Sequence, residues 1–380
     1  MSKIDWDDLL VDLDCKDSWN VFSDTIHRHI EECIPKSRMT NKRKRKVYTT
    51  KRSNALSKRK NRAWKRYKST LSHEDFRYYR EISNSLRKLT RTLRITFEKD
   101  LAKNAKSNPK DFWRYVNSKV KLNKGIGSLV LDNGEKLYKS EDIVSALNEA
   151  FSKVFTKEDD SNVMTPEWSH EGSTLGSINF TQEKVEKQLI SLNPNKSAGP
   201  DGIHPRVLKE LAREISYPLT SIFNLSMGEG YLPLDWKKAN IVPIHKKGSR
   251  QKATNYRPIS LTSMVCKVME SLVKEEIMDH VKDNSLLHNA QHGFTPGRSC
   301  CTQLMVQMEK WTDLLDHGRP IDILYLDVRK AFDTVPHQRL LMKLKAYGID
   351  GHVLKWIEAF LVGRIQRVAL RGEYSDWSQV

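Results

Sequence analysis

Several features of secreted and membrane proteins are missing from this sequence of 380 residues. Its five cysteines are an odd number at irregular spacing, which indicates reduced thiols rather than a disulfide framework. The N-terminus has neither a basic region nor an apolar core, so it does not resemble a signal peptide. A run of about 18 apolar residues, as a membrane span requires, occurs nowhere. We therefore expect an intracellular protein, cytoplasmic or nuclear, with no membrane partner.

The net charge of +18 is distributed very unevenly along the chain. Residues 1–35 carry a net charge of −6, residues 36–124 carry +24, and residues 125–380 are neutral. A basic field this concentrated attracts polyanions, above all RNA and DNA. The sequence therefore predicts an acidic helical lead over 1–35, a basic helical nucleic-acid-binding region over 36–124, a hairpin, helix and linker over 125–180, and a separate region over 181–380.

The basic region interleaves its cations with aromatic residues such as Trp64 and Tyr79. The cations would neutralise phosphates, while the aromatic rings would either stack on unpaired bases or form the core of a helical pair. We favour core packing for most of the rings. The run at 42–46 is equally typical of a nuclear import signal. The cations predicted to contact nucleic acid are Lys42, Arg43, Lys44, Arg45, Lys46, Arg59, Lys60, Arg62, Lys65 and Arg66.

Hydrophobic periodicity predicts helices and strands along most of the chain. A hairpin is predicted around Asn133 and Gly134, because this dipeptide is typical of tight turns between strands. The mixture predicts an α/β (α+β) fold. The predicted helices are 51–71, 73–104, 140–155, 264–281, 302–315, 340–347 and 353–361, and the predicted strands are 239–244, 322–326 and 364–371.

A carboxylate, Asp327, directly follows the apolar segment Asp322–Leu326. A carboxylate in that position lies at the end of a sheet, where hard oxygen ligands can hold a divalent metal ion. Two such ions catalyse phosphoryl transfer to a nucleotide. Taken alone the pattern is weak evidence, since an aspartate after a strand more commonly caps a turn.

Four further segments accompany this pattern, and together the five are specific. In order and spacing they resemble the reverse transcriptases of non-long-terminal-repeat (LINE-type) retrotransposons, most of all the jockey-like elements. The resemblance extends over about residues 100–380 and is strongest over 190–380. Asp201, which lies in the segment Asn195–Ile203, is expected to have a structural role. The four segments are Asn195–Ile203 (NKSAGPDGI), Ile241–Gly248 (IVPIHKKG), Asn255–Ser263 (NYRPISLTS) and Gln291–Ser299 (QHGFTPGRS).

The resemblance implies the fingers and an incomplete palm of a right-hand polymerase, within a region over 181–380 whose core is about 227–380. Asp327 would bind a metal ion with its carboxylate, and Val328 would bind it with its carbonyl oxygen. Asp333 would cap the following turn. The implied cofactor is Mg²⁺ or Mn²⁺, at a two-metal site that these residues leave incomplete.

Contacts with the nucleotide and the template follow from the same resemblance. Arg257 would grip the triphosphate with its bidentate fork, and either Lys246 or Lys247 would add a point charge, a choice that the sequence leaves open. Phe332 would act as a steric gate against nucleotides that carry a 2′-OH, with a core aromatic as the alternative. The residues that would support the template are Gln291, Gly293, Phe294, Gly297 and Arg298.

Proteins of the family that this sequence resembles have further parts, which we do not expect in this sequence. These are an aromatic-x-Asp-Asp turn that supplies the other metal ligands, a thumb and an upstream endonuclease. Adjacent aspartates occur only at Asp7–Asp8 and Asp159–Asp160, both ahead of the palm segment. The expected reaction copies an RNA template from a DNA primer with dNTPs. We expect a fragment that is inactive alone and whose missing palm, thumb and endonuclease would be its partners; the alternative is a non-catalytic RNA- or DNA-binding protein derived from a retroelement.

Overall fold

A computed structural model describes residues 4–35, 48–119, 125–156, 166, 168–328 and 330–380 of the protein. The chain divides into two compact units, of which unit 1 comprises Met1–Ile34 with Ile126–Val380 and unit 2 comprises Pro35–Gly125. The helices are α1 (Trp6–Leu10), α2 (Cys15–Cys33), α3 (Lys51–Thr70), α4 (His73–Lys103), α5 (Pro109–Lys119), α6 (Ser140–Ser152), α7 (Gln182–Ser191), α8 (Pro205–Glu210), α9 (Ala212–Glu229), α10 (Leu234–Lys237), α11 (Met264–Asp283), α12 (Cys300–Asp316), α13 (His337–Ala346) and α14 (Gly351–Leu361).

The strands form one short hairpin and one mixed sheet. They are β1 (Leu129–Val130), β2 (Lys136–Leu137), β3 (Lys238–His245), β4 (Tyr256–Leu261), β5 (Ile365–Leu370), β6 (Glu373–Tyr374) and β7 (Ser378–Gln379). β1 and β2 form the predicted hairpin, and Gly134 in its turn has a φ of +87°. The larger sheet has the order β4-β3-β5-β6, with β7 also paired to β5, and β3 is antiparallel to β4 and parallel to β5. Helices with a mixed sheet confirm the α/β (α+β) fold class.

The main core of unit 1 gathers around α9, whose apolar residues are buried against α2, α7 and α14. Three large rings meet edge to face there. The centroid of Trp236 lies 5.2 Å from that of Trp19 and 5.9 Å from that of Phe223. The acidic N-terminal segment therefore shares a core with residues from the C-terminal half of the chain.

A second apolar cluster joins one face of the larger sheet to α6. Side chains alternate between the faces of a strand, so Ala239 and Ile241 of β3 point toward α6 together with Tyr256 of β4 and Val368 of β5. They pack on Ile143, Val144, Leu147 and Phe151, which repeat at helical spacing along α6. Ile244 and its cross-strand partner Arg257 occupy the opposite face of the hairpin and are exposed.

Part of the segment predicted as a linker, 156–180, packs onto unit 1. The amide of His170 donates to the carbonyl of Ala346 at 2.7 Å, and Leu175 forms an isolated parallel bridge with Ile349. Phe180 is buried in the main core. The apolar residues in this otherwise polar stretch explain why its second half is fixed. Residues 157–165 and 167 lie outside the described residues.

The segment Asn195–Ile203 packs against the start of α11. A Cβ added to Gly199 would lie 2.5 Å from the carbonyl carbon of Thr262 and 2.6 Å from the amide nitrogen of Ser263. Asp201 lies beside Ser263, and burial raises the pKa of its carboxyl. This placement agrees with the structural role expected for Asp201.

We expect Gly199→Ala to lower the free energy of unfolding by about 1–3 kcal/mol, because backbone atoms obstruct the new methyl group and cannot rotate away. Urea unfolding followed by far-UV circular dichroism measures the change. Gly228→Ala is the matched control: no atom lies within 4 Å of its added Cβ, and its place inside α9 favours alanine. Equal urea midpoints for Gly199→Ala and Gly228→Ala would contradict the close packing of Asn195–Ile203 against α11.

Unit 2 contains α3 and α4, which pack as an antiparallel hairpin. The side chain of Thr50 caps α3 in a capping box with Ser53, and Ser72 caps α4. Leu71, between the helices, adopts the left-handed conformation with a φ of +51°. The aromatic residues pack along the interface; the ring of Trp64 lies 4.8 Å from that of Tyr79, and the ring of Tyr67 lies 5.0 Å from that of Phe76.

The strand predicted over 322–326 is wrong. Residues 321–328 have irregular backbone, and Leu324 and Leu326 are 82% and 85% exposed. In the described residues no backbone hydrogen bond joins this segment to another one. A strand exists only when a neighbouring strand takes up its amide and carbonyl groups, so the apolar pattern alone does not form one here.

Candidate active site

A cleft of about 690 Å³ lies in unit 1, where the β3–β4 hairpin faces the segment that follows residue 326. It brings together side chains that are as much as 183 positions apart in sequence. Five of the predicted site residues line it, namely Lys246, Arg257, Asp327, Val328 and Phe332, together with Asp333. The C-terminal part of α6 forms a wall with Ala150, Phe151 and Val154, which the sequence analysis did not identify.

The register of the β3–β4 hairpin places the cationic side chains. Ile244 pairs with Arg257, and because alternate residues share a face, Lys246 lies on the same side as Arg257. The amide of Lys246 donates to the carbonyl of Asn255 at 2.8 Å, which continues the pairing beyond the strand. Lys246 lines the cleft and Lys247 does not. The geometry therefore separates two lysines that the sequence left equivalent.

The carboxylates of the cleft come from one short stretch. Asp327 is exposed at the end of the irregular segment, and Asp333 is half-buried in a turn where its amide donates to the carbonyl of Lys330 at 2.9 Å. Among the described residues, no three histidine, cysteine or acidic side chains gather in a way that could hold a metal ion. Asp327 and Asp333 thus give the cleft negative charge without forming a complete metal centre.

Phe332 is 81% exposed in the cleft, and its ring meets the ring of Phe294 edge to face. The two centroids lie 5.9 Å apart with an interplanar angle of 84°. Phe294 has a φ of +58°, a strained conformation for a bulky side chain. The proposed gate and the predicted template segment therefore touch, which no feature of the sequence indicated.

The other predicted template residues hold their own loop together. The guanidinium of Arg298 donates to the carbonyl of Gln291 at 2.9 Å and also to the carbonyl of Asn289. The amide side chain of Gln291 donates to the carbonyl of Gly293 at 2.9 Å, and Gly297 has a φ of +74°. Arg298 and Gln291 therefore shape the loop from within.

The predicted nucleic-acid contacts lie in unit 2 and fall into three groups. Arg59 donates to the hydroxyl of Tyr78 at 2.8 Å, and Arg66 forms an ion pair with Asp75 at 2.9 Å. Lys60, Arg62 and Lys65 lie on α3, and the last two are exposed. The run Lys42, Arg43, Lys44, Arg45 and Lys46 lies outside the described residues.

Residues 244–379 match a family described as reverse transcriptase (RNA-dependent DNA polymerase). The match begins in β3 and includes every predicted residue of the cleft. Together with the relatives below, this match supports a non-long-terminal-repeat reverse transcriptase. The matched segment therefore contains both the cations of the β3–β4 hairpin, Lys246 and Arg257, and the aspartates of the cleft, Asp327 and Asp333.

Three relatives show how much of such a protein is present. The chain is 32% identical over 193 residues to the probable RNA-directed DNA polymerase from transposon X-element of Drosophila melanogaster, covering 50% of this chain and 21% of the relative. It is 28% identical over 197 residues to the RNA-directed DNA polymerase from mobile element jockey of the same species, covering 52% and 21%. It is also 28% identical over 179 residues to the Pol polyprotein of the type-2 retrotransposable element R2DM, covering 47% and 16%. The aligned part spans about a fifth of these curated relatives.

In the parts of the chain that the structure describes, no helix combines the length and the apolar character needed to cross a bilayer.

Proposed function

We propose that this chain forms the fingers and part of the palm of an RNA-directed DNA polymerase, and that the cleft receives the incoming dNTP. The supporting observation is the convergence of Lys246, Arg257, Asp327 and Phe332 in one cleft, within the segment that matches the reverse transcriptase family. On this proposal the chain acts inside the cell, in the cytoplasm or the nucleus, on an RNA template with a DNA primer.

The cations of the hairpin would hold the triphosphate. Arg257 presents a planar fork that can bind two phosphate oxygens at once, whereas Lys246 supplies a compact charge with free rotation. Both side chains start from one face of a paired hairpin, so their separation is fixed before the nucleotide arrives. Little backbone entropy would then be lost in binding, and the cost is confined to the rotamers of the two side chains.

Phe332 would select the sugar. Its ring stands in the cleft and meets the ring of Phe294 edge to face. A ring beneath the sugar leaves no room for a 2′-OH, which favours deoxynucleotides. The contact with Phe294 would also couple the position of the sugar to that of the template loop.

Reverse transcriptases generally use divalent metal ions, and Mg²⁺ or Mn²⁺ is the ion we propose for the complete enzyme. Two ions near a nucleotide require several carboxylates close together. Asp327 and Asp333 line the cleft, but the described residues contain no set of three or more potential ligands. The described residues therefore fit nucleotide binding and do not fit a complete two-metal centre.

We expect the 380-residue chain to bind a dNTP and a primer annealed to an RNA template, but to incorporate no nucleotide, because the carboxylates that line the cleft among the described residues are too few to hold two metal ions. Primer extension with Mg²⁺ or Mn²⁺ tests incorporation, and calorimetry tests binding. Asp327→Ala is expected to match the unmodified chain in the extension assay.

Different results would contradict the incomplete metal centre and the proposed function. Template-dependent incorporation that Asp327→Ala abolishes would contradict the incomplete metal centre and support polymerase function. Absence of binding to both the dNTP and the primer–template would overturn the proposed function itself. A complete reverse transcriptase run on the same substrates confirms that the assay detects extension.

A further inference from the structure

Unit 2 carries more positive charge than its own acidic residues can neutralise. Residues 36–124 contain 30 basic and 6 acidic residues. Three of the acidic residues are engaged locally, since Asp75 pairs with Arg66, Asp111 pairs with Arg114, and Glu98 accepts a hydrogen bond from Tyr115. Most of the cations are therefore left to attract an external polyanion.

A groove of about 460 Å³ concentrates this charge on the α3–α4 hairpin. Three arginines of α4 line it at the spacing i, i+4 and i+7, so they form one stripe along the helix. Lys60 contributes from α3. The lining residues are Tyr48, Lys60, Ser83, Leu86, Arg87, Thr90, Arg91 and Arg94.

The arginines of this stripe are more available than two of the cations predicted on α3. The guanidinium of Arg59 lies over the ring of Tyr78, 5.4 Å from its centroid, and Arg66 is paired with Asp75. In the described residues no ion pair or hydrogen bond engages the side chain of Arg87 or Arg91, and Arg94 has only a long contact of 3.8 Å to Glu98. Free guanidinium groups bind phosphates without first breaking an internal contact.

We propose that this groove binds the phosphate backbone of single-stranded nucleic acid. Arg87 and Arg94 are separated by about 10 Å along the helix axis, at about 1.5 Å per residue. The three guanidinium groups along this length can each contact a phosphate, about three phosphates of one strand in all. Tyr48 also lines the groove, but its ring already lies 5.8 Å from the Lys119 ammonium and 6.3 Å from the Phe97 centroid, so the proposal rests on the arginines.

On this proposal the arginine stripe of α4, with Lys60 of α3, forms the main contact surface of unit 2. The proposal that this groove binds nucleic acid rests on the proposed function only for the class of ligand, a nucleic-acid strand. Its test contains neither metal ion nor dNTP, so a failed primer-extension experiment leaves it unaffected.

Fluorescence anisotropy of a labelled 20-nucleotide single-stranded RNA, titrated with the full chain, tests the groove. The triple variant Arg87→Gln, Arg91→Gln, Arg94→Gln is expected to lose on the order of tenfold to a hundredfold in affinity near 0.1 M salt. The slope of log affinity against log salt is expected to become shallower by about 2, at about 0.7 for each lost phosphate contact. Glutamine keeps a helix propensity close to that of arginine, so the hairpin is expected to fold.

A second triple variant controls for the loss of charge. Arg77→Gln, Lys88→Gln and Lys99→Gln remove three exposed cations from the same helix but outside the groove, and are expected to reduce affinity less than about threefold. Equal losses in the two triple variants would overturn the proposal, because the attraction would then be diffuse. An unchanged affinity in the stripe variant, with its circular dichroism spectrum intact, would overturn it as well.

Discussion

Arg257→Ala is expected to weaken dNTP binding by roughly tenfold to a hundredfold. Charge-assisted hydrogen bonds contribute about 1.5–3 kcal/mol each, and the guanidinium is the side chain of the cleft best shaped to grip two phosphate oxygens. Arg257 is exposed and its strand is held by backbone pairing with β3, so the loss is expected without loss of fold. Isothermal calorimetry with a dNTP measures the change. Arg257→Lys, which keeps the charge but not the fork, is expected to recover only part of the affinity.

The neighbouring lysines provide an internal control for this expectation. Lys246→Ala is expected to weaken dNTP binding about fivefold, whereas Lys247→Ala is expected to change it less than twofold, since only Lys246 lines the cleft. The two variants have the same chemistry and differ by one position. Equal effects would show that the cations act through their general field and not through the register of the hairpin.

Trp236→Ala is expected to lower the free energy of unfolding of unit 1 by about 3–5 kcal/mol, the range for a large aromatic removed from a core. Trp236 is fully buried, and its ring contacts Trp19 and Phe223, so the cavity would open where α2, α9 and α10 meet. This loss is a large fraction of the stability of a typical domain. Urea unfolding followed by far-UV circular dichroism measures it.

Two further variants separate ring packing from other effects. The indole nitrogen of Trp236 is buried with no hydrogen-bond partner among the described residues, so Trp236→Phe is expected to restore most of the stability. Trp168→Ala removes a ring that is 53% exposed and packs on Tyr347, and is expected to cost less than about 1 kcal/mol. A similar loss for Trp168→Ala and Trp236→Ala would contradict the central place of Trp236.

Much of the local structure could be predicted because its causes are local. The helices α3, α4 and α11 follow from apolar spacing and capping residues, and the β1–β2 hairpin follows from Asn133-Gly134. The strand predicted over 322–326 is wrong for the opposite reason. Its short apolar run meets the local requirement, but a strand also needs a partner, and the described residues offer it none.

The candidate site could be predicted in composition but not in arrangement. Motif order pointed to Arg257, Asp327 and Phe332, and these three line one cleft. Their role in nucleotide binding stays a prediction. The contact of Phe332 with Phe294 joins residues 38 positions apart, and no spacing rule reaches that far.

The sequence by itself determined the resemblance to reverse transcriptases, the mixed fold class and the concentration of charge in residues 36–124, because ordered motifs, periodicity and composition are properties of the chain alone. Only the tertiary structure decided which side chains share a surface. Strand register put Lys246 and not Lys247 in the cleft, and helix pairing tied Arg59 and Arg66 to partners while leaving the stripe of Arg87, Arg91 and Arg94 open. The physical reason is that register and pairing depend on contacts between distant segments, which are set when the chain packs.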